Sequence, residues 1–142
     1  MLQKIITNGK NDVDCAALAV GQALGLDTGS ASEPTDYKGP YYASTRKNLS
    51  DADGVLLLGL NPPRVWRLKS LYLPRYYAWI RHEAEATNKP LMVINLGIGI
   101  DTAIFNRWLA DHQIATLYVT GPQQSGVFEA TENYLTTLLG DR

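Results

Sequence analysis

Four cations stand close together in the middle of the chain. Arg64, Arg67, Lys69 and Arg75 are interleaved with Trp66 and Tyr72. Guanidinium forks grip phosphate through paired hydrogen bonds, and aromatic faces stack on a pterin or a nucleobase. The stretch therefore suits an anion clamp beside a flat ring. It equally suits a solvated loop or an oligomer contact rich in Arg, Tyr and Trp. Tyr37, Tyr41, Tyr42, Tyr76 and Tyr77 add aromatic surface that could line such a pocket, or pack in a core or interface.

A second set of candidates follows the short apolar runs, each of which ends at a glycine. Asn8, Gly9, Lys10 and Asn11 follow the first run, and Gly59 and Asn61 follow the second. Asn95 and Gly97 follow the third, and Gly121, Pro122, Gln123, Gln124 and Ser125 follow the fourth. Glycine lets a backbone approach a ligand closely, and a helix start beyond it offers unpaired N–H groups to an anion. Glycine after a parallel strand also serves a sharp turn alone. The chain carries no G-x-G-x-x-G and no Walker phosphate loop, so spacing points to a ligand at this edge and not to a particular one.

Other reactive side chains read more plainly. Asp51 and Asp53 could, as paired carboxylates, bind a metal or act in acid–base chemistry, or they could cap a turn. His82 and His112, each read within a helix, have no partner at metal-ligand spacing and read as surface residues. Cys15 lies near a helix start, where a thiolate is stabilised, but no base stands beside it, so it reads as a packing residue.

The elements that must position these residues alternate. Ile5-Ile6, Val55-Leu56-Leu57-Leu58, Leu91-Met92-Val93-Ile94 and Ile114 to Val119 predict four strands, the middle two buried on both faces. Val13, Ala16, Ala17, Val20 and Leu24 share one helical face, capped by Asn11 or Asp12 and ended by Gly25. Leu73, Tyr76, Tyr77, Ile80 and Ala84 form a second helix. Ile104, Phe105, Trp108 and Leu109 form a third, capped by Asp101. Phe128, Thr131, Leu135, Leu138 and Leu139 form a last one, capped by Ser125. Residues 27–54 are polar and turn-rich, and some of them read as an irregular loop. Strands alternating with amphipathic helices predict an α/β protein with an open parallel sheet covered on both faces, a three-layer sandwich. Its strand ends share the carboxyl edge, where such sheets bind ligands.

Length and composition agree with one domain over residues 1–142. Hydrophobic residues make up 45% and charged residues 19%, with three Trp and eight Tyr, which excludes a disordered chain. The net charge of −1 removes the electrostatic case for general nucleic-acid binding. No apolar run reaches the roughly 18 residues of a membrane span, and the N-terminal run is too short for a signal peptide. A lone cysteine excludes an intrachain disulfide framework and fits a reducing cytoplasm.

Several segments, in order, resemble the molybdenum cofactor carrier protein family. This is a Rossmann-like group related to lysine-decarboxylase-like proteins and cytokinin phosphoribohydrolases. Lys4-Ile5-Ile6-Thr7-Asn8-Gly9-Lys10-Asn11-Asp12-Val13-Asp14-Cys15-Ala16-Ala17-Leu18 stands where the family has a strand and Gly-Gly-Gln-Thr-Gly-Val-Asp-Arg-Ala-Ala-Leu. Leu24-Gly25-Leu26-Asp27-Thr28-Gly29 is similar to its Leu-Gly-x-x-Thr-Gly step. Thr45 and Asn48 resemble its Thr-x-x-Asn pair, and Ala52-Asp53-Gly54 its Ser-Asp-Gly before a strand. Lys89-Pro90, Trp108-Leu109 and Gly121-Pro122-Gln123-Gln124-Ser125 resemble later motifs. The first loop departs from the pattern, with Asp12 adding a negative charge near the expected anion site. The family's Gly-Gly-Thr after the second strand is replaced by the Arg-rich stretch, and the hydrolase relatives' Pro-Gly-Gly-x-Gly-Thr-x-x-Glu is absent.

The resemblance implies a Rossmann-like fold, a cytoplasmic homo-oligomer, and binding of the molybdenum cofactor (molybdopterin) without catalysis. Asp14 matches the family's Asp and would bond the loop or a ligand. The phosphorylated end of the ligand would sit on the loops after strands one, two and four, with Arg64, Arg67 or Lys69 neutralising it. Two alternatives stand beside this. One is a nucleotide- or nucleoside-processing hydrolase, or a nucleotide-sensing domain, using a carboxylate among Asp12, Asp14 and Asp53. The other is a diverged domain that only assembles with itself or a partner.

Overall fold

In the computed structural model the described residues are 1–9, 11–30, 42–59, 72–121 and 126–140. They form β1 (Lys4–Thr7), α1 (Asp12–Ala23), β2 (Asp27–Ser30), α2 (Tyr42–Asp51) and β3 (Gly54–Gly59). These are followed by α3 (Tyr72–Ala86), β4 (Leu91–Asn95), α4 (Thr102–Asp111), β5 (Thr116–Thr120) and α5 (Phe128–Leu139). The five strands make one sheet in the order β2-β1-β5-β3-β4, every pairing parallel.

Side chains alternate across this sheet with the two-residue period of a strand. Ile5, Leu56, Leu58, Leu117 and Val119 point to one face and pack with Val13, Ala17 and Val20 of α1, Phe105 and Leu109 of α4, and Leu135, Leu138 and Leu139 of α5. Ile6, Val55 and Tyr118 point to the other face and meet Leu49 of α2 and Ile80 and Ala84 of α3. The sheet therefore lies between three helices and two, a Rossmann-like three-layer α/β arrangement. β3 is buried from Gly54 to Leu58, as its unbroken apolar run requires.

Four expectations are corrected. A fifth strand and a further helix lie inside residues 27–54. β2 escapes an apolar pattern because it is an edge strand, Asp-Thr-Gly-Ser, paired only with β1. α2 escapes it because its inward face carries polar residues. Thr45, Asn48, Leu49 and Ala52 are all buried and share helical spacing, but two of the four are not hydrophobic. β4 is not buried on both faces: it is the other edge, and Val93 is 47% exposed. The N-cap of α5 is Val127, without a side-chain cap bond, and Ser125 lies outside the described residues.

Numbered cyclically from β5, the strand order becomes 3-2-1-4-5. This is the order of doubly wound dinucleotide-binding sheets, in which the first strand is central and connections leave it in opposite directions. The last strand in this sequence thus holds the position that the first holds in such folds. The start of β1 lies beside the start of β5, where Gln3 N–H and Lys4 N–H both donate to Ala115 O at 2.8 and 3.0 Å. Among the described residues no helix is long and apolar enough to cross a membrane.

Candidate functional site

The switch point of this sheet is the carboxyl end of β5, with β1 on one side and β3 on the other. Neighbouring strands lie about 4.8 Å apart, so the ends of β1 and β3 stand roughly 10 Å from each other across β5. Gly121 follows β5 at the centre. A Cβ there would run into the carbonyl oxygen of Leu58 in β3 and come within 2.9 Å of Val13 Cγ2 in α1. The absence of a side chain lets β5, β3 and the start of α1 converge at one point. Gly9 ends β1 with φ of 70°, a left-handed conformation that glycine adopts without strain.

Under the β1 end lies a buried polar cluster. Asn8 is 2% exposed. Its Nδ2 donates to Thr45 Oγ1 at 3.1 Å, and its Oδ1 accepts from Asn48 Nδ2 at 2.8 Å and from the Tyr118 hydroxyl at 3.0 Å. Asn48 Nδ2 also donates to Thr7 O at 3.0 Å. Three elements meet here: β1, β5 and α2. Thr45 and Asn48 are three residues apart on α2, which puts both side chains over Asn8. Buried amides and hydroxyls are costly unless paired, so the cluster fixes where β1 ends and the next loop begins. Asn8, a candidate ligand contact in the sequence, has its carboxamide bonded to neighbours inside the protein. Tyr118 was missed. The available signal was a tyrosine inside an otherwise apolar strand, whose hydroxyl needs a partner.

The loop after β1 is also bonded internally. Gly9 N–H donates to Thr7 Oγ1 at 3.0 Å. Asn11 caps α1, with Asp14 N–H donating to Asn11 Oδ1 at 2.9 Å and Asn11 N–H to Asp14 Oδ2 at 3.3 Å, a reciprocal capping box. Asn11 Nδ2 reaches across to donate to Gly121 O at 2.9 Å. Asp12 Oδ2 accepts from Val127 N–H, at the start of α5, at 3.1 Å. The loops after β1 and β5 are thereby stapled together at two points. The N–H groups of Gly9, Asn11 and Asp14 go to the chain's own oxygens, and carboxylates stand at the helix start.

The remaining candidates divide by position. Gly59 ends β3, and its carbonyl accepts from Leu96 N–H at 2.8 Å. Asn95 ends β4 and its Oδ1 accepts from Gly97 N–H at 2.8 Å, forming a local turn at the edge of the sheet. Both strands end at the carboxyl edge, but β4 lies two strands from β5. Lys10, Asn61, Arg64, Arg67, Lys69, Pro122, Gln123, Gln124 and Ser125 lie outside the described residues. So do Trp66, Tyr37 and Tyr41.

Asp53 belongs to the opposite edge. It precedes β3, and its Oδ2 accepts from Ala115 N–H at 3.0 Å and Thr116 N–H at 2.9 Å before β5. It ties two strand starts together and stands away from the ligand edge. Asp51 pairs with Lys47 on the surface at 3.2 Å. His82 is exposed on α3. His112 is the C-cap of α4, not inside it, with its ring edge-on to Trp108. Cys15 is exposed rather than packed, because it faces outward between the buried Asp14 and Ala16. On the solvent side of α3 the Glu85 hydrogen bond holds the Arg81 guanidinium above its ordinary value. Among the described residues no group of three His, Cys, Asp or Glu side chains comes together to hold a metal.

Comparison with known proteins bears on this architecture. The sequence profile of the circularly permutated YpsA SLOG family matches residues 33–139. Among solved structures, a protein from Syntrophus aciditrophicus SB named "Putative molybdenum carrier protein" is similar, with a TM-score of 0.72 and 24% identity. The match covers 97% of this chain and 95% of that one. At that identity the likeness is one of fold. No curated protein matches the sequence.

Proposed function

The chain belongs to the circularly permutated YpsA SLOG family, and from that membership we propose that it binds and sequesters a phosphorylated, ring-bearing small molecule without transforming it. The observation that carries this reading is the switch point at β5. Three adjacent strand ends converge there around Gly121, at the place where open α/β sheets take their ligands. The reading treats residues 1–142 as one domain. The molybdenum cofactor is the leading candidate cargo, on the strength of the sequence resemblance and the name carried by the similar structure. Such a cargo gains from enclosure, which keeps water and oxygen from its ring.

In this reading the phosphate end lies toward β3, whose following segment carries Arg64, Arg67 and Lys69 in the sequence, together with Asn61. Gly59 and Gly121 border it, with Pro122-Gln123-Gln124-Ser125 following Gly121 in the sequence, and Gly9 and Asn11 close the β1 side. A reducing cytoplasm suits the exposed Cys15, which would otherwise oxidise. Assembly as a homo-oligomer is carried by the resemblance alone. Binding is preferred over glycosidic hydrolysis because of where the carboxylates are. Asp53 stands at the other edge, and Asp12 and Asp14 are bonded to backbone N–H groups.

Calorimetry and thermal shift with the molybdenum cofactor and with common nucleotides test the proposal. A ligand at a hundred times its Kd stabilises the folded state by about 2.7 kcal/mol, which moves the melting temperature by several degrees. No heat and no shift with any of these compounds would sink it.

A further inference from the structure

The two edges of the sheet are not alike. β2 is short and polar, and the exposed Asp27 opens it with a charge. Brevity and charge are devices by which an edge strand resists pairing with another chain. β4 reads Leu-Met-Val-Ile-Asn, with neither a charge nor a proline within it. Its register on β3 fixes where its backbone groups point. Val55 N–H donates to Pro90 O at 2.9 Å and Leu96 N–H donates to Gly59 O at 2.8 Å, with Leu91 opposite Val55 and Asn95 opposite Gly59. Pro90, Met92, Ile94 and Leu96 therefore turn their backbone groups toward β3, and Leu91 and Val93 turn theirs to the open edge. Among the described residues nothing bonds to the N–H or C=O of Leu91 and Val93. Their side chains share the face of α2 and α3, where Leu91 is partly buried and Val93 is exposed. Ile98, in the turn after β4, is 83% exposed, and Ile104, in the first turn of α4, is 54% exposed. Open backbone groups and exposed apolar side chains thus follow one another along this stretch of chain.

We propose that β4 is a self-association surface: it pairs antiparallel with β4 of a second copy of this chain, about a two-fold axis at Met92, and carries the sheet across the dimer. The occupant is argued from the strand's own pattern. An axis at Met92 sets Leu91 of each copy opposite Val93 of the other. In an antiparallel ladder such a pair exchanges both of its bonds. Two pairs with two bonds each use all the open groups of Leu91 and Val93, and no others. The side chains agree with this register. Val93 packs beside Leu91 of the other copy on one face, and the two Met92 side chains meet on the other face as a closely spaced, non-bonded pair. No charged side chain of β4 is set against a like one. An identical strand therefore satisfies every open group and covers the exposed Val93 in a single register, which an unrelated peptide has no reason to do. A closed two-fold contact also removes the open edge from both copies. β4 lies two strands from the switch point at β5, so the proposal is independent of ligand binding. It supplies a place for the homo-oligomer that the resemblance implies without placing.

The test uses the full chain without ligand. Light scattering after size exclusion at about 100 μM, suited to a small interface of micromolar affinity, should give a mass at least twice 15.7 kDa. Val93→Lys puts a charge on the open edge and leaves the core alone, since Val93 is exposed. Its mass should fall to half the wild-type value, with an unchanged circular dichroism spectrum. Val93→Pro removes the outward N–H, a change that an edge strand tolerates, and should do the same. Phe128→Ser removes an exposed side chain from the start of α5 and should leave the mass at the wild-type value. Hydrogen exchange on wild type needs no variant. The amides of Leu91 and Val93 should exchange about tenfold more slowly at the higher concentration than after dilution to about 1 μM. The proposal is overturned if wild type is a monomer at the higher concentration, if the assembly survives both Val93 substitutions, or if exchange at Leu91 and Val93 ignores dilution. A monomer in which both amides are slow at every concentration also overturns it, because the edge is then covered by the chain itself. An assembly that survives both substitutions leaves the homo-oligomer standing and removes β4 as its surface, and the binding reading fails separately, when wild type takes up no ring-bearing ligand.

Discussion

Removing Asn8 should cost more than removing any one of its partners, and the excess can be measured. Asn8→Ala deletes three bonds inside the protein, to Thr45, Asn48 and Tyr118. Each stranded buried group costs about 1–3 kcal/mol. Asn48 keeps its bond to Thr7 O, and Thr45 and Tyr118 have further contacts, so the lower end applies to each. The sum is about 3 kcal/mol. Tyr118→Phe deletes one hydroxyl whose acceptor keeps the Asn48 bond, and should cost about 1 kcal/mol. Once Asn8 is alanine, the hydroxyl has lost that acceptor, and Tyr118→Phe should cost about 1 kcal/mol less than it otherwise would. The double-mutant cycle should then return a coupling of about 1 kcal/mol. Urea denaturation resolves this, and each kcal/mol should also appear as about 3–5 °C in melting temperature. If the two costs add to within about 0.5 kcal/mol, the residues do not act as a unit, and the account of how β1 is held at its carboxyl end is wrong.

Two further outcomes follow from the same geometry. Gly121→Ala should destabilise the fold by about 2–3 kcal/mol, because its new carbon meets the Leu58 carbonyl, which no rotamer change can move. Gly126→Ala, at φ of 78° but in open space, should cost only about 1 kcal/mol, and equal costs in denaturation would refute the crowding argument. Asp53→Ala should cost about 1–3 kcal/mol by freeing two N–H groups at the amino edge. It should leave every ligand affinity unchanged in calorimetry, since it lies across the sheet from the carboxyl edge.

The parts of the fold legible in the sequence were those in which hydrophobicity and burial coincide. Val55 to Leu58 and the face Val13, Ala16, Ala17, Val20 reported their places directly, since the residues that face inward are apolar. α2 was illegible for the opposite reason. Its inward positions are taken by Thr45 and Asn48, polar groups that are affordable there only because Asn8 and Thr7 supply their partners. A pattern written in hydrogen bonds across 37 and 41 residues cannot be seen by a window that reads neighbours. The helix caps were legible where a short polar side chain does the work, at Asn11 and Asp101. They failed at α5, where the cap is supplied from another helix by Asp12.

That last case has a wider consequence for the site. The four glycines counted along the sequence look equivalent, one after each apolar run. Strand order makes them unequal. Gly97 follows an edge strand, Gly9 and Gly59 follow the strands that flank β5, and only Gly121 stands where connections depart in both directions. In an unpermuted doubly wound sheet the loop at that point follows the first strand, so a sequence reader looks for the anion site near the N-terminus. Here the N-terminal loop is a neighbour of the switch point and not its centre. It can then carry Asn11 as a brace on Gly121 and Asp12 as a cap on α5, roles that a ligand-cradling loop could not combine with phosphate binding. The losses of glycine in the first loop are therefore consistent with a change in what that loop does, and under the proposed function the anion end of a ligand lies on the β3 side of β5.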